Sequence, residues 1–336
     1  MPGQPIQIPN APALARLSFR HFAGESDFVA MARIINAAKR ADNIERSDSP
    51  EKIANAYRHL HNCEPYLDMC FAEAEGEAIG YSRVFWEEQE DGQHIYQHFG
   101  FLEPAWRRQK IGQAMLKWNE ARLGKIASLH HVERKVLRSW ADGYEAGTTA
   151  LLVANGYQAT TYGAQMSRSI LGELPAAPLP DGLEIKPVEH VHLRQIWEAD
   201  AEAFRDHWGF RAQTETDWKA FLERPFTDIS LWTVAWDGDR VVGQVRSYID
   251  TDENDEYGRL RGYTENISTV KEWRGMGVAR ALICESMKVL RQRGMEEVGL
   301  GVHTENPTGA FHLYSSLGYR VDATSTTYEK PVNESG

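Results

Sequence analysis

The 336-residue sequence predicts an α/β protein made of two tandem domains. A chain of this length normally divides into two domains that can each bury a core. The same order of elements, namely strand, helices, hairpin, long strand, helix, strand and helix, occurs twice along it. Between the copies, residues 171–182 are rich in proline and glycine, which is typical of a linker. We therefore predict a tail over 1–13, a first domain over 14–172, a linker over 173–182 and a second domain over 183–332.

The internal repeat rests on matching segments at corresponding positions of the two halves. Both halves begin with a strand-like run followed by an amphipathic helix, and both contain a hairpin with Gly or Asp in its turn. The matching segments are 17–20 with 183–186, 71–80 with 234–243, 106–116 with 273–283, and 155–157 with 317–319. This pattern predicts two copies of one fold.

The segment 272–284 contains a predicted anion-binding loop. It follows a strand-like run and passes into an amphipathic helix. Gly275 and Gly277 lie between the strand and the helix, where several backbone N–H groups lack partners and point in one direction. With the positive end of the helix dipole, these groups form a site for phosphate oxygens. Arg274 would add positive charge at the lip of the loop.

The spacing of these residues separates three kinds of phosphate-binding loop. A P-loop requires Lys-Ser or Lys-Thr after its last glycine, and neither occurs here. A dinucleotide fingerprint requires a third glycine where Arg280 stands. The pattern Arg274-x-x-Gly277-x-Ala279 instead resembles the pyrophosphate loop of the GNAT superfamily of acyl-CoA N-acetyltransferases. The resemblance implies that acetyl-CoA, as a co-substrate, is bound by Arg274, Gly275, Met276, Gly277, Val278 and Ala279.

A second motif downstream supports the resemblance. Residues 298–303 alternate as in a strand, and Asn306 followed by proline is typical of a helix start. Tyr314 lies on the apolar face of this helix, and Gly318 is placed to end it. This order resembles the last strand–helix unit of GNAT enzymes. It implies that each half is a mixed, mostly antiparallel sheet flanked by helices.

Direct acyl transfer from a thioester to an amine is assisted by a base, a donor to the oxyanion and an acid for the leaving sulfur. The resemblance implies that Glu265 accepts the amine proton and that Tyr314 protonates the sulfur. It also implies that the strand 267–270 pairs with the pantetheine arm. Thr269 or Val270 would then donate a backbone N–H to the oxyanion.

Each of these residues also has a structural interpretation. Tyr314 could be a core aromatic residue, and Glu265 could be a surface carboxylate. Asn306 matches a position that hydrogen-bonds the pantetheine arm or a water, yet it could serve only as an N-cap. A base at Glu265 requires a raised pKa and hence partial burial.

The segment 203–210 lies where GNAT enzymes select their acceptor. Asp206 could pair with a cationic amine, and His207 or Trp208 could line a pocket. Equally, Phe204 and Trp208 could only anchor a helix to the core. The segment resembles the corresponding stretch of the tandem mycothiol synthases, which acetylate an amino-sugar cysteine conjugate. The predicted acceptor is a primary amine of a small molecule.

The first copy resembles the family in layout but not in its chemical residues. Lys110 occupies the position of the second loop glycine, where a side chain would crowd an approaching phosphate. Leu152 and Tyr144 stand where the second copy has Tyr314 and Asn306. We predict that the first domain is structural, or binds the co-substrate without turnover, and that the second domain is catalytic.

Composition excludes several classes of function. The net charge of −11 argues against broad binding to nucleic acid or to anionic membranes. No apolar run approaches the roughly 18 residues of a membrane span, and the first residues do not read as a signal peptide. Cys63, Cys70 and Cys284 are too few and too irregular for a disulfide framework or a zinc site. They predict a reducing, cytoplasmic location and no bound metal.

Two alternatives stay open at this point. The chain could be a monomer, in which the two halves form a pseudo-dimer, or a homodimer. It could also be a non-catalytic acyl-CoA-binding or regulatory protein instead of an enzyme. The placement of Tyr314 and Glu265 distinguishes these functions, because an enzyme requires both at the strand cleft.

Overall fold

The computed structural model describes residues 3–45, 48–205, 210, 212–224, 226–305 and 309–332. The chain forms two compact units, and each contains a mixed sheet with helices. The first unit comprises residues 1–161, 215–223 and 325–336, and the second comprises 162–214 and 224–324. The predicted α/β class and the tandem arrangement are therefore confirmed. No helix in the described ranges is long and apolar enough to cross a membrane.

The helices and strands follow the repeated order that the sequence predicts. In chain order they are β1 (Leu17–Arg20), α1 (Asp27–Ala41), α2 (Pro50–Arg58), α3 (Pro65–Asp68), β2 (Met69–Ala74), β3 (Glu77–Glu88), β4 (His94–Leu102), α4 (Ile111–Ala127), β5 (Lys135–Asp142), α5 (Ala146–Ala154), β6 (Gln158–Ser169), β7 (Leu183–Ile185), α6 (Leu193–Phe204), α7 (Glu215–Leu222), β8 (Thr233–Asp237), β9 (Arg240–Tyr248), α8 (Thr251–Tyr257), β10 (Arg261–Thr269), α9 (Val278–Gln292), β11 (Glu297–His303), α10 (Ala310–Ser316) and β12 (Arg320–Pro331).

Each unit has one parallel strand pair in an otherwise antiparallel sheet. The first unit has the strand order β1-β2-β3-β4-β5-β12, and the second has β6-β11-β10-β9-β8-β7. The parallel pairs are β4 with β5 and β10 with β11. Both are short, because pairing covers only 94–97 with 135–138 in the first unit and 261–263 with 297–299 in the second. The downstream ends of β4 and β10 are consequently left unpaired on that side.

The last strand of each repeat completes the sheet of the other unit. Residues 163–169 of β6 pair with β11, and residues 325–331 of β12 pair with β5. The compact units therefore differ from the boundaries 14–172 and 183–332 that the repeat suggests. The reason is that a sequence repeat follows covalent order, whereas a compact unit follows strand pairing.

The core of the second unit depends on this exchanged strand. Met166 and Ile170 of the β6 segment pack in one buried cluster with Leu282, Met287 and Leu290 of α9. The predicted linker contributes as well, since Leu174, Ala177 and Leu179 pack against the same cluster. The segment that joins the repeats is thus part of a core.

Met166 gives a direct test of this arrangement. Its side chain is 2% exposed, and Met166→Ala should lower the free energy of unfolding by about 2–5 kcal/mol, because the truncation leaves a cavity in a close-packed core. Gln165→Ala, at the exposed neighbouring position, should change it by less than about 0.5 kcal/mol. Urea unfolding followed by tryptophan fluorescence measures both values. Equal effects for the two variants would show that β6 does not belong to this core.

Candidate active site

A gap between two parallel strands forms the centre of the candidate site. Pairing of β10 with β11 ends at Tyr263 and Gly299. Two residues beyond this point, Glu265 extends its carboxylate across to β11, where Oε1 accepts the N–H of Gly301 at 3.1 Å. Glu265 therefore lies in the gap, partly buried, and not on the outer surface.

A β-bulge shapes the same part of β10. Glu265 pairs with Arg246 and Ser268 pairs with Gln244, so two residues of β10 stand opposite one residue of β9. Asn266, inside the bulge, has a left-handed backbone with φ of +49°. The bulge thus changes the direction of the strand just beside the carboxylate.

The backbone after the bulge corrects one predicted role. The N–H of Val270 donates to the carbonyl of Val242 at 3.0 Å, so it is not available to an oxyanion. Because hydrogen bonds alternate along an antiparallel pair, the N–H of Thr269 points away from β9, towards the gap. The hydroxyl of Thr269 is also buried with no hydrogen-bond partner among the described residues. Of the two predicted donors, Thr269 is the one whose N–H is suitably directed.

The predicted anion loop has the backbone geometry that the sequence indicates. Gly275 and Gly277 are left-handed, with φ of +75° and +92°, and a Cβ added at either would meet nothing within 4 Å. The first backbone hydrogen bond of α9 runs from the N–H of Ala281 to the carbonyl of Gly277. The amides of Val278 and Ala279 therefore lie in the first turn of α9, where N–H groups have no intrahelical acceptor. The space beside the two glycines is open, and the start of a helix with free N–H groups suits an anion.

Arg274 has a different place from the predicted one. Its Nε donates to the carbonyl of Thr269 at 3.2 Å, and its Nη2 donates to the carbonyl of Ala203 at 2.6 Å. The guanidinium therefore fastens the loop to the ends of β10 and α6 and does not stand at the lip. Met276, two residues further on, is 57% exposed.

Tyr314 and Glu265 lie close enough to influence each other. Tyr314 is a buried residue of α10 and packs beside Tyr319, with ring centroids 6.1 Å apart. The hydroxyl of Tyr319 lies 2.8 Å from that of Thr264, the neighbour of Glu265 in β10. Tyr314 is thus a core aromatic residue, and it is also connected to the strand that carries the carboxylate.

The pKa shifts of both side chains follow from this placement. Burial raises the pKa of the Tyr314 hydroxyl, and the negative charge of Glu265 raises it further. Burial also raises the pKa of the Glu265 carboxyl, although the N–H of Gly301 opposes the shift. A phenol that keeps its proton can act as an acid. A carboxylate with a raised pKa is a stronger base than an ordinary one.

Four predicted residues lie outside the described ranges. They are Asp206, His207 and Trp208 of the acceptor segment, and Asn306 before the last helix. The helix itself begins at Ala310 and is followed by Gly318, which has the left-handed φ of +88° expected of a terminating glycine.

The first unit keeps the loop without its glycines. Arg108 and Lys110 adopt left-handed φ of +63° and +64°, as Gly275 and Gly277 do in the second unit. Arg107 repeats the fastening role of Arg274, since its Nη2 donates to Ala38 O and its Nε to Leu102 O, both at 3.3 Å. The loop backbone is conserved between the units, although a left-handed conformation is unfavourable for arginine and lysine.

The first unit also contains a cavity of about 360 Å³ at the corresponding gap. Its lining includes Lys110 at the loop, His98 of β4 and Ser139 of β5. The Nε2 of His98 lies 2.7 Å from the hydroxyl of Tyr157, and burial lowers the pKa of this imidazole to about 4, so the ring is neutral near pH 7. The first repeat thus retains a space next to its loop.

Glu265 and Tyr314 have no counterpart at the equivalent positions of that space, although Asp42 and Glu145 line it elsewhere and burial raises the pKa of Glu145. Pairing of β3 with β4 is regular, and Phe99 stands opposite Arg83, where the second unit has Glu265 opposite Arg246. Leu152 lines the cavity at the sequence position equivalent to Tyr314. The bulge, a carboxylate opposite the strand arginine and a phenol at the position of Leu152 therefore distinguish the second unit.

Comparison with known proteins decides the family. A profile described as the acetyltransferase (GNAT) family matches residues 30–139 and 193–319, which is more than half of the chain. The chain belongs to the GNAT family. Mycothiol acetyltransferase of Geodermatophilus obscurus is 27% identical over 266 residues, covering 78% of this chain and 82% of that protein. Mycothiol acetyltransferase of Catenulispora acidiphila is 24% identical, with coverage of 91% and 96%. This GNAT protein is accordingly an acyltransferase.

Solved structures share its fold over nearly the whole length. A GCN5-related N-acetyltransferase from Sphaerobacter thermophilus superimposes with a TM-score of 0.72 at 23% identity, covering 95% of this chain and 96% of that one. A tandem GNAT protein from the clavulanic acid biosynthesis pathway has a TM-score of 0.69 at 15% identity, with coverage of 95% and 100%. At sequence identities this low, the structural similarity shows a shared fold and nothing about function.

Sequence reasoning missed one buried ion pair near the bulge. Asp200 lies on the otherwise apolar face of α6, and Arg246 lies within the apolar strand β9. A charged residue at such positions is itself a signal, because burial of an unpaired charge is strongly unfavourable. A search for charges that interrupt apolar patterns would have identified both residues.

The two loops provide a matched pair of substitutions. Gly277→Lys should destabilise the GNAT protein by about 1–2 kcal/mol, because an L-residue is strained in the left-handed region. Lys110→Gly should stabilise it by up to about 1 kcal/mol, the strain relief being offset in part by the freedom of glycine in the unfolded chain. Urea unfolding compares the two. A destabilised Lys110→Gly variant would show that contacts of the lysine side chain outweigh its backbone strain.

Proposed function

We propose that the second unit transfers an acetyl group from acetyl-CoA to a primary amine of a small molecule. The observation that carries the proposal is the joint placement of Glu265 and Tyr314. Glu265 lies in the gap between β10 and β11, and Tyr314 is close enough for that carboxylate to raise its pKa. The loop with Gly275 and Gly277 follows the end of the same strand.

Several features of this unit suit acetyl-CoA. The left-handed glycines face open space, so diphosphate oxygens could approach the amides at the start of α9. Beyond Tyr263, β10 has no parallel partner, which leaves backbone groups for an extended amide-containing arm. The buried hydroxyl of Thr269, without a partner among the described residues, marks a place where a ligand would complete the hydrogen bonding.

The proposed reaction divides the proton transfers between two side chains. The amine nitrogen forms a bond to the thioester carbonyl carbon, and Glu265 accepts a proton from that nitrogen. The N–H of Thr269 is directed to the gap and would stabilise negative charge on the carbonyl oxygen. As the carbon–sulfur bond breaks, Tyr314 donates its proton to the sulfur and becomes a phenolate. After the products leave, the proton held by Glu265 returns to that phenolate through solvent, so both side chains regain their starting protonation states.

The first unit is proposed to be non-catalytic. Its loop and cavity support binding of an anionic ligand such as the co-substrate, but Phe99 and Leu152 supply neither a base nor an acid. A cytoplasmic location and a monomeric or homodimeric state remain predictions from the sequence.

The acceptor is proposed to be a small amine because the curated relatives are named mycothiol acetyltransferase. A cysteine conjugate of an amino sugar is accordingly the first candidate. The alternative, a non-catalytic acyl-CoA-binding protein, fits the first unit better than the second, where the carboxyl of Glu265 lies in the gap and near enough to the buried phenol of Tyr314 to raise its pKa. Release of free CoA from acetyl-CoA in the presence of amino sugars, cysteine conjugates, polyamines and amino acids would test the proposal. A lack of release with every class would favour the alternative.

Tyr314→Phe should lower turnover by roughly 10² to 10⁴ while acetyl-CoA still binds, because only the acid is removed. Tyr319→Phe is the matched control, since that buried hydroxyl bonds to Thr264 and should affect stability more than turnover. Steady-state release of CoA and calorimetric binding of acetyl-CoA measure the two effects. Unchanged turnover in Tyr314→Phe would assign the phenol to packing alone.

Glu265 should impose a pH dependence on the rate. Its pKa is raised by burial, and a base acts only when ionised, so kcat/KM should fall as the pH drops through a value above the usual carboxyl range. Glu265→Gln should lower the rate by roughly 10² or more and remove this limb. Glu253→Gln, which alters a buried carboxylate that binds Arg259 and Tyr263, is the control and should keep it. A limb that persists in Glu265→Gln would point to the acceptor amine as the titrating group.

A further inference from the structure

We propose that the buried ion pair between Asp200 and Arg246 holds the β10 bulge in its working geometry, so that both are positioning residues for acyl transfer. The inference rests on the proposed function for its kinetic consequence. The structural part of the proposal, that the ion pair holds the bulge, concerns only the second unit and can be measured without an activity assay.

The ion pair contacts both sides of the bulge. Arg246 Nη2 donates to Asp200 Oδ2 at 2.6 Å, and the two side chains are only 7% and 8% exposed. Arg246 is the cross-strand partner of Glu265, immediately before the bulge. Ser268, immediately after it, lies close enough to Asp200 for its hydroxyl to lower the pKa of that carboxyl, against the larger raising effect of burial. Asp200, in α6, is therefore bonded to the cross-strand partner of Glu265 and lies near Ser268 at the other end of the irregular segment.

A neighbouring hydrogen bond strengthens the attachment of α6 to this point. Gln244, the cross-strand partner of Ser268, donates its Nε2 to the carbonyl of Ile196 in α6 at 2.9 Å. Gln244 is 1% exposed. The strand positions that flank the bulge on β9, Gln244 and Arg246, are thus both bonded to the same helix.

The first unit shows what happens without the pair. Arg83 holds the position of Arg246, opposite Phe99, and its guanidinium lies over the rings of Tyr57, Phe85 and Phe99 at 4.9–5.2 Å. Ala38 and Ala203 are equivalent, because their carbonyls accept hydrogen bonds from the equivalent arginines Arg107 and Arg274. Three residues before them lie Ile35 in the first unit and Asp200 in the second. Strand pairing there is regular. The bulge and the ion pair therefore occur together in one unit and are both missing from the described part of the other.

The physical cost of the pair supports a positional role. Burial raises the pKa of Asp200 and lowers that of Arg246, so each charge is disfavoured by its surroundings and is maintained by the other. Replacing such a pair with apolar residues of similar size is often neutral or stabilising. If the pair adds little net stability, its presence is better explained by the backbone geometry that it fixes. At this position that geometry is the backbone between Glu265 and Thr269.

The test uses the full chain and three variants. Asp200→Asn removes one charge and keeps the shape, and Asp200→Leu with Arg246→Met removes both charges. The control is Arg261→Met with Glu297→Leu, which removes an ion pair of 2.7 Å at the start of the same strand. Thermal unfolding, amide hydrogen exchange of residues 266–269, and kcat and KM with acetyl-CoA are measured for each.

In both Asp200 variants, the amide hydrogens of residues 266–269 should exchange with solvent several-fold faster than in the wild type. Their kcat should fall by about 100-fold, the effect of a misplacement near 1 Å, with little change in KM for acetyl-CoA. The double variant should show the faster exchange and the lower kcat while its melting temperature stays almost unchanged. The control should lose stability while its bulge exchange and kcat stay near the wild-type values.

Three outcomes would overturn the proposal. They are wild-type exchange at 266–269 in the double variant, wild-type kcat in that variant, and loss of cooperative folding in both Asp200 variants, which would show that the pair maintains the whole unit. A wild type that releases no CoA with any amine would instead refute the proposed function. In that case the hydrogen exchange alone would decide the role of the pair.

Discussion

The divergence of two parallel strands is the constraint on which the rest of the second unit depends. Strands β10 and β11 pair over only three positions and then separate. Buried backbone N–H and carbonyl groups must find other partners, and the carboxylate of Glu265 provides one by accepting the N–H of Gly301. Beyond Tyr263 and Gly299 the two strands form no further pairs with each other.

The two units share one backbone arrangement around the loop although their side chains there differ. Both have a short parallel pair, a left-handed loop and an arginine that binds two carbonyls at the ends of a strand and a helix. In the first unit, the left-handed positions are held by Arg108 and Lys110, so packing maintains a conformation that these residues do not favour. In the described part of the first unit, the bulge and the residues Glu265 and Tyr314 have no equivalent at the corresponding positions. The left-handed loop therefore does not depend on glycine at these two positions.

The exchange of terminal strands gives a physical reason for keeping the first repeat in the chain. Residues 163–169, which end the first repeat, cover an edge of β11 that would otherwise expose unpaired backbone groups. The side chains of Met166 and Ile170 also complete the core below α9. In the first unit, Glu329 of β12 forms an ion pair with Arg138 at 2.5 Å. Each repeat therefore supplies a strand that the other unit requires, whether or not it retains catalytic residues.

The sequence by itself determined the class of the fold, the repeat, the loop of Gly275 and Gly277, and the GNAT family. These follow from local patterns, since alternation, helical spacing and glycines at left-handed positions act over a few residues. Only the tertiary structure decided the rest. It placed Arg274 on backbone carbonyls, assigned the N–H of Val270 to β9, brought Tyr314 near Glu265 and exchanged β6 with β12. Asp200 and Arg246 are 46 residues apart in the sequence, and their pairing depends on how α6 lies on β9. Such contacts are set by strand register and by the packing of distant segments, which no local pattern in the sequence encodes.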